Sequence, residues 1–275
     1  MRFTVVHSTR YRYEAPVYLE PHTIRLCPRQ DGAQRMARHS LEISPKPAGR
    51  AEGLDQDGNV MTQAWFTGPI EVLELRSEFE VETLRDNPFD FLMAGADRDL
   101  PIPYPEALAP YLRVEPSEAV REFTQSIAAE AGGKTMPFLA ALNQRLFDTV
   151  TQVTRREGPP NCAEVTLAAR AGSCRDLAVV FCAAARAAGV AARFVSGYER
   201  EASLQENGEL HAWAEVYLHG GGWRGYDPSR GLAVAASHVA VAAAADPLLA
   251  APVVGAYRGA AKSTLEFEIS MQTSA

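Results

Sequence analysis

Cysteine and histidine are scarce in this chain, four and six among 275 residues, and neither type is clustered. The thiols, Cys27, Cys162, Cys174 and Cys182, are irregularly spaced and no pair has the close Cys-x-x-Cys spacing. That argues against a disulfide framework and against a structural zinc site. No acidic segment has calcium-loop spacing either, so neither a metal nor a cofactor is expected. Long basic runs are missing: 27 Lys and Arg stand against 34 Asp and Glu, a net charge of −7 that opposes phosphate backbones and anionic membranes as default partners. No uncharged stretch is long enough to span a bilayer, and Met1 to His7 leads straight into polar alternation without an apolar signal core. The resulting expectation is a cytoplasmic protein with no nucleic-acid or membrane partner. The Ala-rich stretch Leu232 to Val254 is broken by His238, Asp246, Pro247 and Pro252, and reads as buried core.

What is present falls into two halves. From Arg2 to about Leu84, Phe3 and Val5, Leu41 and Ile43, Ile70 and Val72, and Phe79 and Val81 alternate with polar neighbours, as half-buried strands do. Turn residues at Ser44-Pro45-Lys46-Pro47 and Asp55-Gln56-Asp57-Gly58-Asn59 separate them, which predicts an antiparallel sandwich. His7, His22 and Arg25 could line a groove there, with solvated strand positions as the favoured reading. The Pro- and Asp-rich stretch Arg85 to Pro105 reads as a linker or surface loop. Beyond it, Ala119, Val120, Phe123 and Ile127 recur at helical spacing after Pro116-Ser117-Glu118 and stop at Gly132-Gly133; a second helix is predicted from Met136 to Val150, and a shorter one around Glu164 to Ala169.

Ala171-Gly172-Ser173-Cys174-Arg175-Asp176 precedes Leu177, Val180, Phe181, Ala184 and Ala188, an apolar stripe that Gly189 ends. Cys174 therefore starts a helix, where unpaired N–H groups and the positive end of the dipole favour a thiolate and can face a developing oxyanion. Gly172 would leave room for substrate to approach the sulfur. Cys182, in mid-helix beside Phe181 and Ala183, is explained by core packing; Cys162, close to a helix start, is a second candidate, and Cys27 reads as structural.

Ala191 to Tyr198 reads as a strand and Glu199 to Glu209 as a polar loop. The next strand begins on His211, with residues 211, 213, 215 and 217 on one face. Gly220-Gly221-Gly222 permits a reversal, and Trp223 to Asp227 would return antiparallel, bringing Asp227 near His211, with the register left open by the turn length. An aspartate there could orient the imidazole while its other nitrogen takes the proton of Cys174. Helix start, strand start and hairpin arm are three separate placements that one mechanism requires together.

At these residues the chain resembles the transglutaminase-like superfamily of papain-like thiol enzymes. Gly172-Ser173-Cys174-Arg175-Asp176 is similar to its nucleophile motif, Ala191 to Tyr198 to the strand after its central helix, His211-Ala212-Trp213-Ala214-Glu215-Val216-Tyr217 to its histidine motif and Gly225-Tyr226-Asp227-Pro228 to its aspartate motif. His7 to Tyr13 resembles the family's bacterial N-terminal domain, and Tyr257-Arg258-Gly259 that subgroup's C-terminal close. Pro228-Ser229 departs mildly from the usual Pro-Thr. The resemblance implies an α+β fold, with the cysteine helix packed on an antiparallel sheet and an N-terminal β-sandwich beside it: domains 1–100 and 101–275, the second including the C-terminal strands. It also implies Cys174, His211 and Asp227 as catalytic residues and Gly172, Ser173, Trp213 and Tyr198 as substrate-binding ones. Asn161 is a guess for a second oxyanion donor. The implied chemistry is a Cys174 thioester formed from a peptide, isopeptide or glutamine carboxamide of a protein or peptide substrate. Hydrolysis is favoured because water is always present, with acyl transfer to an amine as the alternative and a non-catalytic binding module of the same fold as a third reading.

Overall fold

A computed structural model of the protein describes residues 1–95, 98–155, 158–203 and 209–274. The N-terminal part is two facing antiparallel sheets. One is built on β1 (Arg2–Leu19), which pairs on one side with β6 (Ile70–Thr83), itself beside β3 (Gln34–Ser44). On its other side β1 pairs with β16 (Ser263–Ser274) and β15 (Tyr257–Arg258). The second sheet runs β14 (Val253–Val254), β2 (His22–Ile24), β5 (Val60–Trp65) and β4 (Gly49–Leu54). Alternation along the strands turns Tyr13, Val17, Ile24, Leu26, Leu73 and Leu75 into the shared core between the sheets. The sandwich expected from the strand pattern is thus present, but the C-terminal strands belong to it and not to the second domain. The reason is pairing: twelve residues of β1, Arg2 to Tyr13, lie opposite Ser274 to Ser263.

The second part is a sheet of order β12 (Leu232–Ala233), β11 (Gly222–Asp227), β10 (His211–Leu218), β9 (Ala192–Glu199) and β13 (His238–Ala244), all pairs antiparallel. Helices α1 (Glu118–Glu130), α2 (Thr135–Thr149), α3 (Ala163–Ala169) and α4 (Cys174–Ala187) lie against it, and α4 buries Leu177, Val180, Phe181 and Ala184 on the sheet and its neighbouring helices. A short parallel pair, β7 (Thr151–Gln152) with β8 (Ala171–Gly172), leads into α4. Taken together, the elements make the α+β fold that the resemblance implies. Within Leu232 to Val254, β13 is buried along its whole length, as the interrupted apolar run suggested. Within the stretch Arg85 to Pro105, Ile102 inserts into the core of the second part at 5 % exposure. Residues 204–208 of the expected polar loop lie outside the described residues, and Arg200–Ser203 before them form one helical turn.

The two parts share a core. Phe3, Val5, Phe79 and Val81 of the first meet Tyr198, Val239 and Val241 of the second, with Ile269 and Met271 of β16 completing the cluster. The free edge of β13 is covered by side-chain amides that take the place of a further strand. Gln34 accepts from Ala240 N at 2.8 Å and donates to Ala240 O at 2.8 Å; Asn59 does the same with Ala243, at 2.8 and 2.9 Å. Those bonds satisfy donors and acceptors that an open sheet edge would expose.

This second layer overturns the reading of His7, His22 and Arg25 as solvated positions: all three are buried. His7 bonds Tyr198 Oη through Nδ1 at 2.8 Å, His22 bonds the Glu20 carbonyl at 2.7 Å, and Arg25 donates to Asp55 at 3.0 Å. Strand alternation distinguishes two faces, and here the polar residues sit on a face that the rest of the chain covers.

Candidate active site

Cys174 is the first residue of α4, with Ser173 as its N-cap. Asp176 shapes this start. Its carboxylate is fully buried; Oδ2 accepts from Ser173 N and Oγ, both at 2.8 Å, and Oδ1 accepts from Asn161 N at 2.7 Å and Arg155 at 2.6 Å. Burial alone would raise its pKa, but these donors outweigh burial and hold it below the usual carboxylate value. Asn161, the guess for an oxyanion donor, is exposed and spends its N–H on Asp176. The helical pattern leaves the N–H groups of Cys174 and Arg175 without intrahelical acceptors, directed at whatever approaches the sulfur.

His211 is the first residue of β10. The register of the following hairpin, open in the sequence, is Ala214 opposite Tyr226, which places Asp227 diagonal to His211 on one face of the sheet. His211 Nε2 lies 2.6 Å from Asp227 Oδ2, and both side chains are buried. The Cys174 side chain lies near enough to the same imidazole to favour its protonated form. Burial disfavours the imidazolium, but the Asp227 charge and hydrogen bond, with a smaller contribution from Cys174, more than offset it and push the His211 pKa up to about 10. Asp227 is held far below the carboxylate range: burial opposes ionisation, and the charges and hydrogen bonds of His211 and His238 prevail.

Two further residues that sequence reasoning missed hold Asp227. Ser229 donates to Oδ1 through N at 3.0 Å and Oγ at 2.7 Å, and His238 Nε2 reaches Oδ2 at 3.0 Å. The Pro-Ser sequence after Asp227 was the available signal for Ser229; His238, on a separate strand, gave none. His211, Asp227 and His238 place three ligand-type atoms within 4.8 Å of one another. Zinc bonded at about 2.0 Å in a tetrahedral arrangement would hold such atoms about 3.3 Å apart, so 2.6 and 3.0 Å describe hydrogen bonds and a poor fit to a metal.

Cys174, Ser173 and His211 open onto a cavity of about 700 Å³. Its other wall comes from the N-terminal part: His7, Thr9 and Tyr11 of β1 and Ser263, Leu265 and Phe267 of β16. Of the four residues expected to bind substrate, Ser173 lines this cavity and the other three are packed behind it. Tyr198 is fully buried in the core shared by the two parts. Trp213 is 1 % exposed, stacks on His211 with centroids 6.4 Å apart and meets His238 edge-on at 5.0 Å. A side chain at Gly172 would come 2.9 Å from Thr166 Cγ2 and 3.0 Å from Asp176 Cβ, so the residue serves close packing and not an open approach. Among the other thiols, Cys182 and Cys27 are buried with pKa values pushed up to about 11, chiefly by burial, and Cys162 is exposed outside the cavity lining.

Residues 3–82 match the model of the bacterial transglutaminase-like N-terminal region, and residues 121–228 match the transglutaminase-like superfamily. An uncharacterized protein of Mycobacterium tuberculosis is 27 % identical over 98 % of this chain and 92 % of its own length. One of Mycobacterium leprae is 26 % identical over 98 % of each. Among solved structures, a proposed cysteine protease from Cytophaga hutchinsonii superposes with a TM-score of 0.73 at 21 % identity, over 100 % of this chain and 92 % of that one, which shows a shared fold.

Proposed function

Since the chain belongs to the transglutaminase-like superfamily and carries its bacterial N-terminal region, we propose that it is a thiol enzyme that cleaves carboxamide bonds of protein or peptide substrates through a Cys174 thioester. The observation that carries this reading is the cavity-lining sulfur at a helix start, in reach of an imidazole that Asp227 holds at 2.6 Å.

Asp227 is ionised and can only accept, so His211 Nε2 carries a hydrogen and Nδ1 is left for the sulfur. The thiolate adds to the carbonyl carbon, and the negative charge moves to the carbonyl oxygen, facing the N–H groups of Cys174 and Arg175. His211 then gives its Nδ1 proton to the departing nitrogen as the C–N bond breaks, leaving an acyl thioester and a free amine, or ammonia from a glutamine. Water loses a proton to His211, attacks the thioester, releases the acid and regenerates the thiol. An amine in place of water would form a new amide.

Tyr11, Leu265 and Phe267 line the same cavity as Cys174 and offer an apolar surface to the substrate side chain. Burial pushes the Tyr11 phenol up to about 12, with a smaller contribution from Tyr13, in keeping with a poorly hydrated wall.

The test is incubation with a glutamine-containing peptide library, with and without a primary amine, followed by mass spectrometry. Cleaved peptides are the expected product; deamidation alone would redirect the reading to glutaminyl hydrolysis, and incorporated amine to acyl transfer. A protein that leaves every peptide unchanged, and whose Cys174 is alkylated no faster than a model thiol, would sink the catalytic reading in favour of a binding module.

A further inference from the structure

Asp227 Oδ2 is shared by two imidazoles. His211 approaches from β10 at 2.6 Å, and His238 from β13 at 3.0 Å. The His238 side chain is fully buried, and its Nδ1 is 2.9 Å from Ser237 Oγ. We propose that His238 is a positioning residue of the thiol centre, donating Nε2–H to the carboxylate oxygen that orients His211. This inference rests on the thiol reading above and adds to it a fourth side chain.

The hydrogen positions follow from the acceptor. An ionised carboxylate has no proton to give, so both Nε2 atoms donate to Oδ2. With its hydrogen on Nε2, the His238 ring presents Nδ1 to the Ser237 hydroxyl at 2.9 Å, and the chain Ser237, His238, Asp227, His211 runs in one direction. Ser229 fills Oδ1. With both oxygens engaged, the carboxylate plane is fixed from β10, from β13 and from the turn after β11, and the His211 rotamer is fixed with it.

The sheet is shaped for this meeting. Between β10 and β13 runs β9, where Gly197 pairs with His211 on one side and Ala240 on the other. A Cβ at Gly197 would come 2.7 Å from Trp213 Cη2 and would collide with the Val239 carbonyl oxygen. Its absence lets the indole lie across β9 with His211 stacked on it and His238 against its edge. A histidine serving only the core would need neither the carboxylate nor this bare position.

Sharing also moderates the carboxylate. A donor on Oδ2 withdraws negative charge from it and lessens its stabilisation of the His211 imidazolium, whose Nδ1 proton must leave during each turnover. Ionisable groups around this corner include Cys174 on α4 with Arg175 beside it, Glu209 and Arg155 at the cavity, the Arg230–Glu199 ion pair at 3.0 Å, and the buried His7–Tyr198 pair from β1 and β9. None of these is bonded to Oδ2 among the described residues.

The experiment measures alkylation of Cys174 by iodoacetamide, and peptide turnover, across pH for His238→Leu and His238→Gln. Leu removes the donor; Gln keeps one. Expected are a fall of about tenfold in turnover for His238→Leu, an alkaline limb of its alkylation profile moved to higher pH, and recovery of both in His238→Gln. Profiles for both variants that coincide with wild type, whatever happens to the melting temperature, would overturn the proposal. Nitrogen-15 NMR of the unaltered protein gives a second reading that does not depend on a variant folding. A His238 ring with its hydrogen on Nε2 supports the proposal, and one with Nε2 bare overturns it. Fast alkylation of wild type with unmoved variants removes only His238; slow alkylation of wild type removes the thiol reading beneath it.

Discussion

Asp176 and Ser173 close the start of the cysteine helix on each other: Ser173 N and Oγ both donate to Asp176 Oδ2 at 2.8 Å, and Asp176 N returns a bond to the Ser173 carbonyl at 2.9 Å. Because Asn161 N and Arg155 take the other oxygen, this carboxylate ties two further segments to the residue before Cys174. Asp176→Ala leaves several donors unpaired, two of them on the buried Ser173, and is expected to cost about 3 kcal/mol, with Asp176→Asn costing less because one acceptor remains. Urea denaturation checks both; an alanine variant as stable as wild type would show that the segments are held by other contacts.

Gly172 makes a second test of how this helix start is built. Its neighbours stand where a Cβ would be, with Thr166 Cγ2 at 2.9 Å, Asp176 Cβ at 3.0 Å and Leu177 Cδ1 at 3.3 Å. Gly172→Ala is therefore expected to lower stability by about 1–3 kcal/mol through overpacking. If the glycine instead kept a path open for substrate, KM would rise while the denaturation midpoint stayed in place. Measuring the two together separates these roles.

How far the site was legible depends on the range of each signal. The approach of Cys174, His211 and Asp227 could be read because each rests on a local pattern: a helical stripe ended by Gly189, a strand of period two, and a glycine reversal. Asp176 lies on the same stripe but looks like an ordinary first-turn acid, since its four donors come from folding. His238 and β16 left no sequence trace of their partners, which are 11 residues away for His238 Nε2 and more than 240 away for β16. Tyr198 and Trp213 show the converse. Their motifs mark the right strands, but nothing in a motif says which face the cavity takes, and β9 is covered on both.

The C-terminal strand shows what that missed pairing contributes. Ile269 and Met271 of β16 are 5 % and 6 % exposed, inside the core shared by the two parts, while Leu265 and Phe267 line the cavity four and two residues before Ile269. One strand thus carries a stabilising end and a substrate-facing end. Ile269→Ala is expected to cost about 2–5 kcal/mol by cavity formation, with little change in KM once the protein is folded. Phe267 is only partly buried at the margin of that core, and Phe267→Ala is expected to lower the melting temperature less than Ile269→Ala and to raise KM for peptides with a bulky apolar side chain. Reversed effects, or Phe267→Ala indifferent in both measurements, would remove β16 from the cavity wall.

His211 gives stability a pH slope of definite sign. Its pKa rises from 6.5 when unfolded to about 10 when folded, because the charge and hydrogen bond of Asp227 outweigh burial. Below 6.5 the ring is protonated in both states and its contribution is complete. Between 6.5 and about 10 the folded protein holds a proton that the unfolded chain has released, so unfolding becomes easier as pH rises, by at most about 1.4 kcal/mol per pH unit. Asp227 adds no slope in that window, being ionised in both states. Denaturation free energies at intervals from pH 7 to 10 should fall for wild type relative to His211→Gln, whose amide does not titrate. Parallel lines for the two proteins would mean that the folded imidazole is already neutral at pH 7, and that the proton passed to the leaving nitrogen comes from elsewhere.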